Sequence, residues 1–201
     1  MIRTHKNIKI IFEGHYFTMK SSLVKHLSSK YNLPYLSGEW NIFNDYSVDY
    51  HTPNLIVPKS IAQARVQKSY ALIIDLFNLF LNQPFLVDRF HLSLQFYDKL
   101  FNTNYYFSEI EDKLIEMNTI VVFCRNNIKD YDNVLIERLC NNQQKENIYP
   151  LTKAAYRREE LIFAEIVKKS KLPIIECNVE DKTIEQIENE IKGKLTSLKF
   201  I

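Results

Sequence analysis

Short apolar runs recur along the chain, separated by longer stretches whose apolar residues fall three or four positions apart. Ile8 to Phe12, Pro34 to Leu36, Phe85 to Val87, Ile120 to Cys124 and Ile174 to Cys177 are short, β-branched or aromatic, and bounded by polar residues or proline. That pattern predicts buried strands. Leu23, Val24, Leu27 and Tyr31 form one stripe; Val66, Tyr70, Ile73, Ile74, Phe77, Phe80 and Leu81 form a second; Ile184, Ile187, Ile191 and Leu195 form a third. Each set lies on one face of a helix. Strands alternating with helices of this length predict an α/β fold, because parallel neighbours need long crossovers and right-handed crossovers put helices on both sheet faces. Ligands of such sheets bind beyond the carboxyl ends of the strands, so the residues just after each strand are the candidates for chemistry.

Composition narrows the picture. The 201 residues are 46% hydrophobic and 25% charged, which excludes disorder and collagen-like structure and suits one compact domain. No repeat, low-complexity tract or linker divides the chain, so residues 1–201 are expected to form a single domain. Two irregular connections stand out: Asn41 to Pro58, and the polar stretch at about 141–150, a candidate lid. Twenty-six basic side chains oppose twenty-four acidic ones, which is not the basic footprint of a dedicated nucleic-acid binder. Cys124, Cys140 and Cys177 are odd in number and never spaced C-x-x-C, indicating neither a disulfide framework nor a zinc site and making a reducing compartment the default. The apolar run near the N-terminus is too short for a signal peptide and no segment reaches a membrane span; a soluble, cytoplasmic protein is expected. Glycine is scarce: Gly14, Gly38 and Gly193 are the whole complement, against an average usage of about 7%.

Gly14 nevertheless opens a suggestive segment. After the first strand come Gly14-His15-Tyr16-Phe17-Thr18-Met19-Lys20-Ser21-Ser22, leading straight into an amphipathic helix. The frame is that of a phosphate-binding loop, G-x-x-x-x-G-K-S, with Met19 in place of the second glycine. Such a loop wraps backbone N–H groups around a phosphate at a helix N-terminus, sends a lysine to the β- and γ-phosphates and places a hydroxyl on Mg²⁺. Lys20 and Ser21 supply the cation and the hydroxyl, while His15, Thr18, Met19 and Ser22 complete the loop. A lysine at a helix N-terminus opposes the helix dipole unless an anion is present. Met19 is the defect, since glycine permits close backbone approach and a bulky side chain is expected to narrow or perturb the loop.

The second strand is followed by Gly38-Glu39-Trp40 and the third by Asp88-Arg89-Phe90-His91. Glu39 suits a proton acceptor for an attacking hydroxyl or a group that positions Mg²⁺, and equally a solvated loop carboxylate. Asp88 suits a second metal-side carboxylate and Arg89 a cation on a transferring phosphoryl group, the alternative being a structural ion pair. His91 reads as a packing histidine. Gln63 and Arg65 lie on the long helix before the third strand, and Arg157 and Arg158 near the start of the helix after the lid, where solvated arginines are equally in keeping.

These residues resemble the deoxynucleoside kinase and thymidylate kinase-like group of P-loop phosphotransferases. IIFEGHYFTMKSSLVKHL is similar to a degenerate phosphate loop with its first helix, GEW to the acidic region after the second strand, LVDRFHLSLQFY to the family's Asp-Arg segment, and ERLCNNQQKENIYPLTKAAYRREE to its lid. The resemblance implies a three-layer fold with a five-stranded parallel sheet in order 2-3-1-4-5, ATP as donor, Mg²⁺ as cofactor, and a deoxynucleoside or its monophosphate as acceptor. By the same resemblance Lys20, Glu39, Asp88 and Arg89 carry catalysis, Ser21 and Asp88 hold the metal, Arg138 and Arg157 join the loop at the donor, and Trp40, Gln63, Arg65 and Tyr97 meet the acceptor. Relatives are often homodimers, though nothing in the sequence isolates an interface. Besides Met19, the lid departs from the family in having Lys145 but no arginine. Two rival functions stand beside a free-nucleotide kinase: a kinase acting on a modified base in DNA, which a near-neutral charge disfavours, and a degenerate nucleotide-binding protein, which Met19 favours.

Overall fold

The computed structural model describes residues 8–37, 59–79, 83–101, 107–141 and 152–198. Five strands, β1 (Lys9–Gly14), β2 (Tyr35–Ser37), β3 (Phe85–Asp88), β4 (Thr119–Arg125) and β5 (Ile174–Asn178), form one sheet in the order β2-β3-β1-β4-β5. Every pairing is parallel. The five apolar runs are therefore the five strands, each extended by a residue or two at its carboxyl end into polar positions such as Asp88 and Arg125.

Seven helices are described: α1 (Lys20–Tyr31), α2 (Lys59–Asn78), α3 (His91–Phe101), α4 (Ser108–Glu116), α5 (Tyr131–Asn141), α6 (Lys153–Lys169) and α7 (Ile184–Ser197). Alternation along β1 divides the core. Ile10 and Phe12 pack with Leu23, Val24 and Leu27 of α1 and Ile187, Ile191 and Leu195 of α7, whereas Ile11 packs with α2, α3, α4 and α6 through Tyr70, Phe96, Leu114 and Phe163. This is the three-layer arrangement that the strand and helix periods imply. Neither α3 nor α4 is among the stripes that periodicity marks; α4 buries Ile110 and Leu114 alone among its hydrophobic residues.

Two helices carry clear local start signals. Thr152 caps α6 by accepting the Ala155 N–H at 3.1 Å, and Thr183 with Gln186 forms a reciprocal capping box at α7. The outer pair of helices is pinned by Glu188 of α7, buried and bonded to His26, Lys30 and Tyr31 of α1 and to Lys192. Although burial opposes its ionisation, these partners hold the Glu188 carboxyl well below the usual carboxylate range. No described helix is long and apolar enough to cross a membrane.

In this topology β1 and β3 are neighbours, and their carboxyl ends bring residues 13–20 beside residues 88–93. A third small cluster, Ile128, Tyr131, Leu135 and Tyr156 with Phe17 against it, covers the loop after β1 from the side of α5 and α6.

Candidate active site

The loop between β1 and α1 is shaped by its backbone. Gly14 has φ +153°, and a Cβ placed there would lie 2.3 Å from the Cys124 carbonyl oxygen and 2.9 Å from Thr18 Oγ1. Glycine is required for the close approach of β1 to β4 and of the loop to itself. Phe17 and Met19 take left-handed conformations, with φ 62° and 55°, a strain of about 1 kcal/mol or more apiece for residues with a Cβ. The loop thus adopts glycine-like geometry at two positions without glycine.

Packing explains how that strain is tolerated. The Phe17 ring lies edge-on to Tyr131 at 5.9 Å and tilted against Tyr156 at 6.1 Å, and its carbonyl accepts a hydrogen bond from Asn126 Nδ2 at 2.8 Å. Met19 packs against the α1/α7 face of the core, and its carbonyl accepts the Leu23 N–H at 2.9 Å as the first turn of α1. The narrowing expected from Met19 is answered by a side chain that joins the core beneath the loop. Replacing Met19 by glycine should therefore trade lost packing for relieved strain: Met19→Gly is expected to shift stability by no more than about 1 kcal/mol, as denaturant melts would register.

Lys20 begins α1. Its Nζ donates to the His15 carbonyl at 2.9 Å, which also accepts Thr18 Oγ1 at 2.9 Å. The ammonium is buried, and burial together with the Arg89 charge lowers it from 10.5 to about 7, against the opposing pull of Asp88. A cation held at a helix N-terminus beside a second cation is a site prepared for an anion. Ser21 is half-buried and Ser22 exposed at the same end of α1.

Across the sheet, β3 ends in Asp88, which is 5% exposed and whose Oδ1 is buried without a hydrogen-bond partner among the described residues. A buried carboxylate oxygen lacking a donor is what a divalent cation or its bound water fits. Arg89 is next, with φ 65°, its N–H on the Phe12 carbonyl at 2.9 Å, and its guanidinium over the Tyr16 ring, 5.6 Å from the centroid. The Asp88-Arg89 turn is held by Glu13, a fully buried residue that is absent from the candidates read off the sequence. Its carboxylate accepts the Phe90 N–H at 2.8 Å and the Ser93 N–H at 3.3 Å, and also bonds the Ser93 hydroxyl. Burial raises the Glu13 carboxyl, with these bonds and the His91 charge opposing. An acidic residue ending an apolar run just before the loop glycine was the available signal.

Helix α6 closes the loop from the other side. The Tyr156 hydroxyl lies 3.2 Å from both the Tyr16 and the Asn126 carbonyls. Glu159 Oε2 lies 2.9 Å from His15 Nε2, and the His15 ring is flanked edge-on by Tyr16, Phe96 and Tyr156. Burial lowers the His15 pKa, with Lys20 and Arg89 acting in the same direction and Glu159 opposing.

No protein-family model matches this sequence, and no curated protein matches it. Solved structures do. A YorR protein from Bacillus subtilis, in complex with phosphorylated GDP, superposes with a TM-score of 0.61 at 17% identity over 95% of this chain and 96% of that one. Thymidylate kinase from Candida albicans gives 0.57 at 16% identity, covering 97% and 93%. The chain has the P-loop kinase fold. A deoxyadenosine kinase from M. mycoides, bound to dCMP and dCDP, shares it with a TM-score of 0.57 at 16% identity over 94% and 99% of the two chains. The sheet order 2-3-1-4-5 is the one this fold implies.

On this P-loop kinase framework the structure brings Gly14, His15, Thr18, Met19, Lys20 and Ser21 together with Asp88 and Arg89 beyond the ends of β1 and β3. Arg157 lies on α6, 3.5 Å from Glu160 and hydrogen-bonded to Asn127 after β4, while Arg158 is exposed. His91 is buried with Nε2 3.0 Å from Glu111, in keeping with a packing role. Gly38, Glu39, Trp40 and the lid at 142–150 lie outside the described residues, as do the side chains of Gln63 and Arg65 on α2, Tyr97 on α3 and Arg138 on α5.

Proposed function

We propose that the chain transfers the γ-phosphoryl group of ATP to a deoxynucleoside or deoxynucleoside monophosphate. One observation carries the reading: a buried lysine at the start of α1, tied to the loop carbonyl of His15, faces the Asp88-Arg89 turn with its unpartnered carboxylate oxygen. Lys20 would neutralise the donor's β- and γ-phosphates, and Arg89 the charge that develops on the transferring group. Ser21 and Asp88 are the residues that would hold Mg²⁺, whose contribution when bound is to offset charge on the donor phosphates. The acceptor oxygen forms a bond to the γ-phosphorus as the bond to the bridging oxygen of ADP breaks. With a sugar hydroxyl as acceptor, the released proton goes to Glu39. With a monophosphate, the nucleophile is already anionic and Glu39 positions the metal or the sugar. Catalysis is then mostly positioning and electrostatics.

Support for the acceptor class comes from neighbours whose ligands are nucleotides, at identities that speak only to fold. A thermal-shift screen over nucleosides and their monophosphates, with ATP and Mg²⁺ present, tests it. A ligand at 100 times its dissociation constant adds about 2.7 kcal/mol, which for a chain of this length raises the midpoint by about 5 to 10 °C. Stabilisation by at least one free deoxynucleoside or monophosphate is expected. Stabilisation by oligonucleotides alone would transfer the activity to a nucleic-acid acceptor.

A further inference from the structure

The loop cation Lys20 is fixed by a backbone carbonyl, but Arg89 sits on a turn and reaches the loop by a long flexible side chain. The more closely its guanidinium is placed, the less of its electrostatic effect an arginine forfeits to side-chain entropy. We propose that Tyr16 is a positioning residue that holds the Arg89 guanidinium against the phosphate loop, an inference that rests on the phosphate-binding reading above.

Three observations support it. The guanidinium carbon lies 5.6 Å from the Tyr16 ring centroid, within the distance at which a cation is attracted to an aromatic face. Tyr16 is itself immobilised: it is 9% exposed, its ring meets His15 edge-on at 4.8 Å, and its carbonyl accepts from the Tyr156 hydroxyl at 3.2 Å. Arg89, finally, has a left-handed backbone, φ 65°, anchored through its N–H to Phe12. A strained, non-glycine residue retained at a ligand-facing turn points to function at its side chain.

The consequence is a relay of position rather than of charge. Helix α6, through Tyr156 and Glu159, fixes Tyr16 and His15; Tyr16 fixes Arg89; Arg89 then meets the phosphate beside Lys20. Tyr16 touches neither donor nor acceptor in this scheme and acts through the arginine alone. It also provides a rigid cation next to the loop in a protein whose candidate lid contains no arginine.

Calorimetric titration of the full chain with ATP and Mg²⁺, for wild type, Tyr16→Leu, Tyr16→Phe, Arg89→Ala and the Tyr16→Leu/Arg89→Ala double variant, tests the pairing. Tyr16→Leu should weaken ATP about tenfold, Tyr16→Phe should return it to within about twofold because the π-face is kept, and Tyr16→Leu should add almost nothing once Arg89 is gone. Tyr16→Met, of similar reach and without a ring, serves if the leucine variant fails to fold. Wild-type affinity in the ringless variants, failure of phenylalanine to rescue, or an equal loss in both Arg89 backgrounds would overturn the positioning role while leaving the phosphate site intact. Absence of ATP binding by the wild type would instead remove the phosphate reading and this inference together.

Discussion

Lys20→Met is expected to abolish nucleotide binding and, at the same time, to make the protein more resistant to unfolding. The two effects share one cause. In the folded chain the Lys20 ammonium is buried beside the Arg89 charge, so that it titrates at about 7 rather than 10.5. Between these values the unfolded chain holds more protons than the folded one, so stability rises as pH climbs from about 7 toward 10. Below about 7 the protein carries the cost of a buried ammonium that Asp88 offsets only in part. Methionine fills similar space with no charge, removing that cost. Each 1 kcal/mol recovered raises the midpoint by about 2 to 4 °C in a chain of this length, and the contribution of this site to the pH dependence between 7 and 10 should vanish. Nucleotide affinity should fall by at least about a hundredfold, since Lys20 is the cation assigned to the donor's β- and γ-phosphates. Calorimetry with ATP and thermal melts at pH 7 and pH 9 read the two effects separately. A variant that binds ATP normally, or that melts below wild type at neutral pH, contradicts the assignment of Lys20 as a cation poised for phosphate.

Gly14→Ala should have the largest structural effect of any single methyl added to the loop. The new Cβ would meet a backbone carbonyl oxygen at 2.3 Å, well inside van der Waals contact, and that oxygen belongs to Cys124, the register partner of Gly14 in the β1–β4 pairing. Backbone cannot rotate away as a side chain tip could. Relief requires β1 and β4 to part where the loop begins, and φ +153° adds conformational strain. Overpacking and backbone terms together are expected to destabilise by about 3 to 4 kcal/mol. Parting the strands also displaces the His15 carbonyl that holds Lys20, so nucleotide affinity should fall even where the variant is folded. Denaturant unfolding with ATP titration at low temperature checks both. Gly193→Ala is the control: it lies on α7 with open space around it and should be neutral or slightly stabilising.

Several of these features were legible in the sequence, and the boundary between legible and illegible is physical. Strand positions could be read from apolar runs because a parallel sheet covered on both faces leaves no polar alternation to confuse them. Lys20 was conspicuous because a cation at a helix N-terminus is unfavourable without an anion. Met19 could be recognised as a departure, but its resolution could not: a left-handed methionine packed on the α1/α7 core is a tertiary outcome. Phe17 gave no sign at all that it shares the same left-handed conformation. The contacts from α6 were equally hidden. Tyr156 meets Tyr16, and Glu159 meets His15, across some 140 residues of sequence, and periodicity reveals which face of a helix is apolar without revealing which side chain it will meet. A carboxylate that ends an apolar run, as Glu13 does, reads only as a strand end, whereas its bonds to Phe90 and Ser93 make it the support of the Asp88-Arg89 turn.

The loop after β1 is thus strained but well supported. Strain at Phe17 and Met19 is balanced by aromatic packing and by Asn126, and Glu13 holds the turn that carries Arg89, so the loop keeps its shape without a second glycine. Incubating the full chain with γ-labelled ATP, Mg²⁺ and separate pools of deoxynucleosides, their monophosphates and DNA tests the proposed phosphoryl transfer most directly. Label is expected in a free deoxynucleoside or monophosphate, dependent on Lys20. Failure to bind ATP or to transfer label to any pool, or transfer that proceeds unchanged in Lys20→Met, would contradict it.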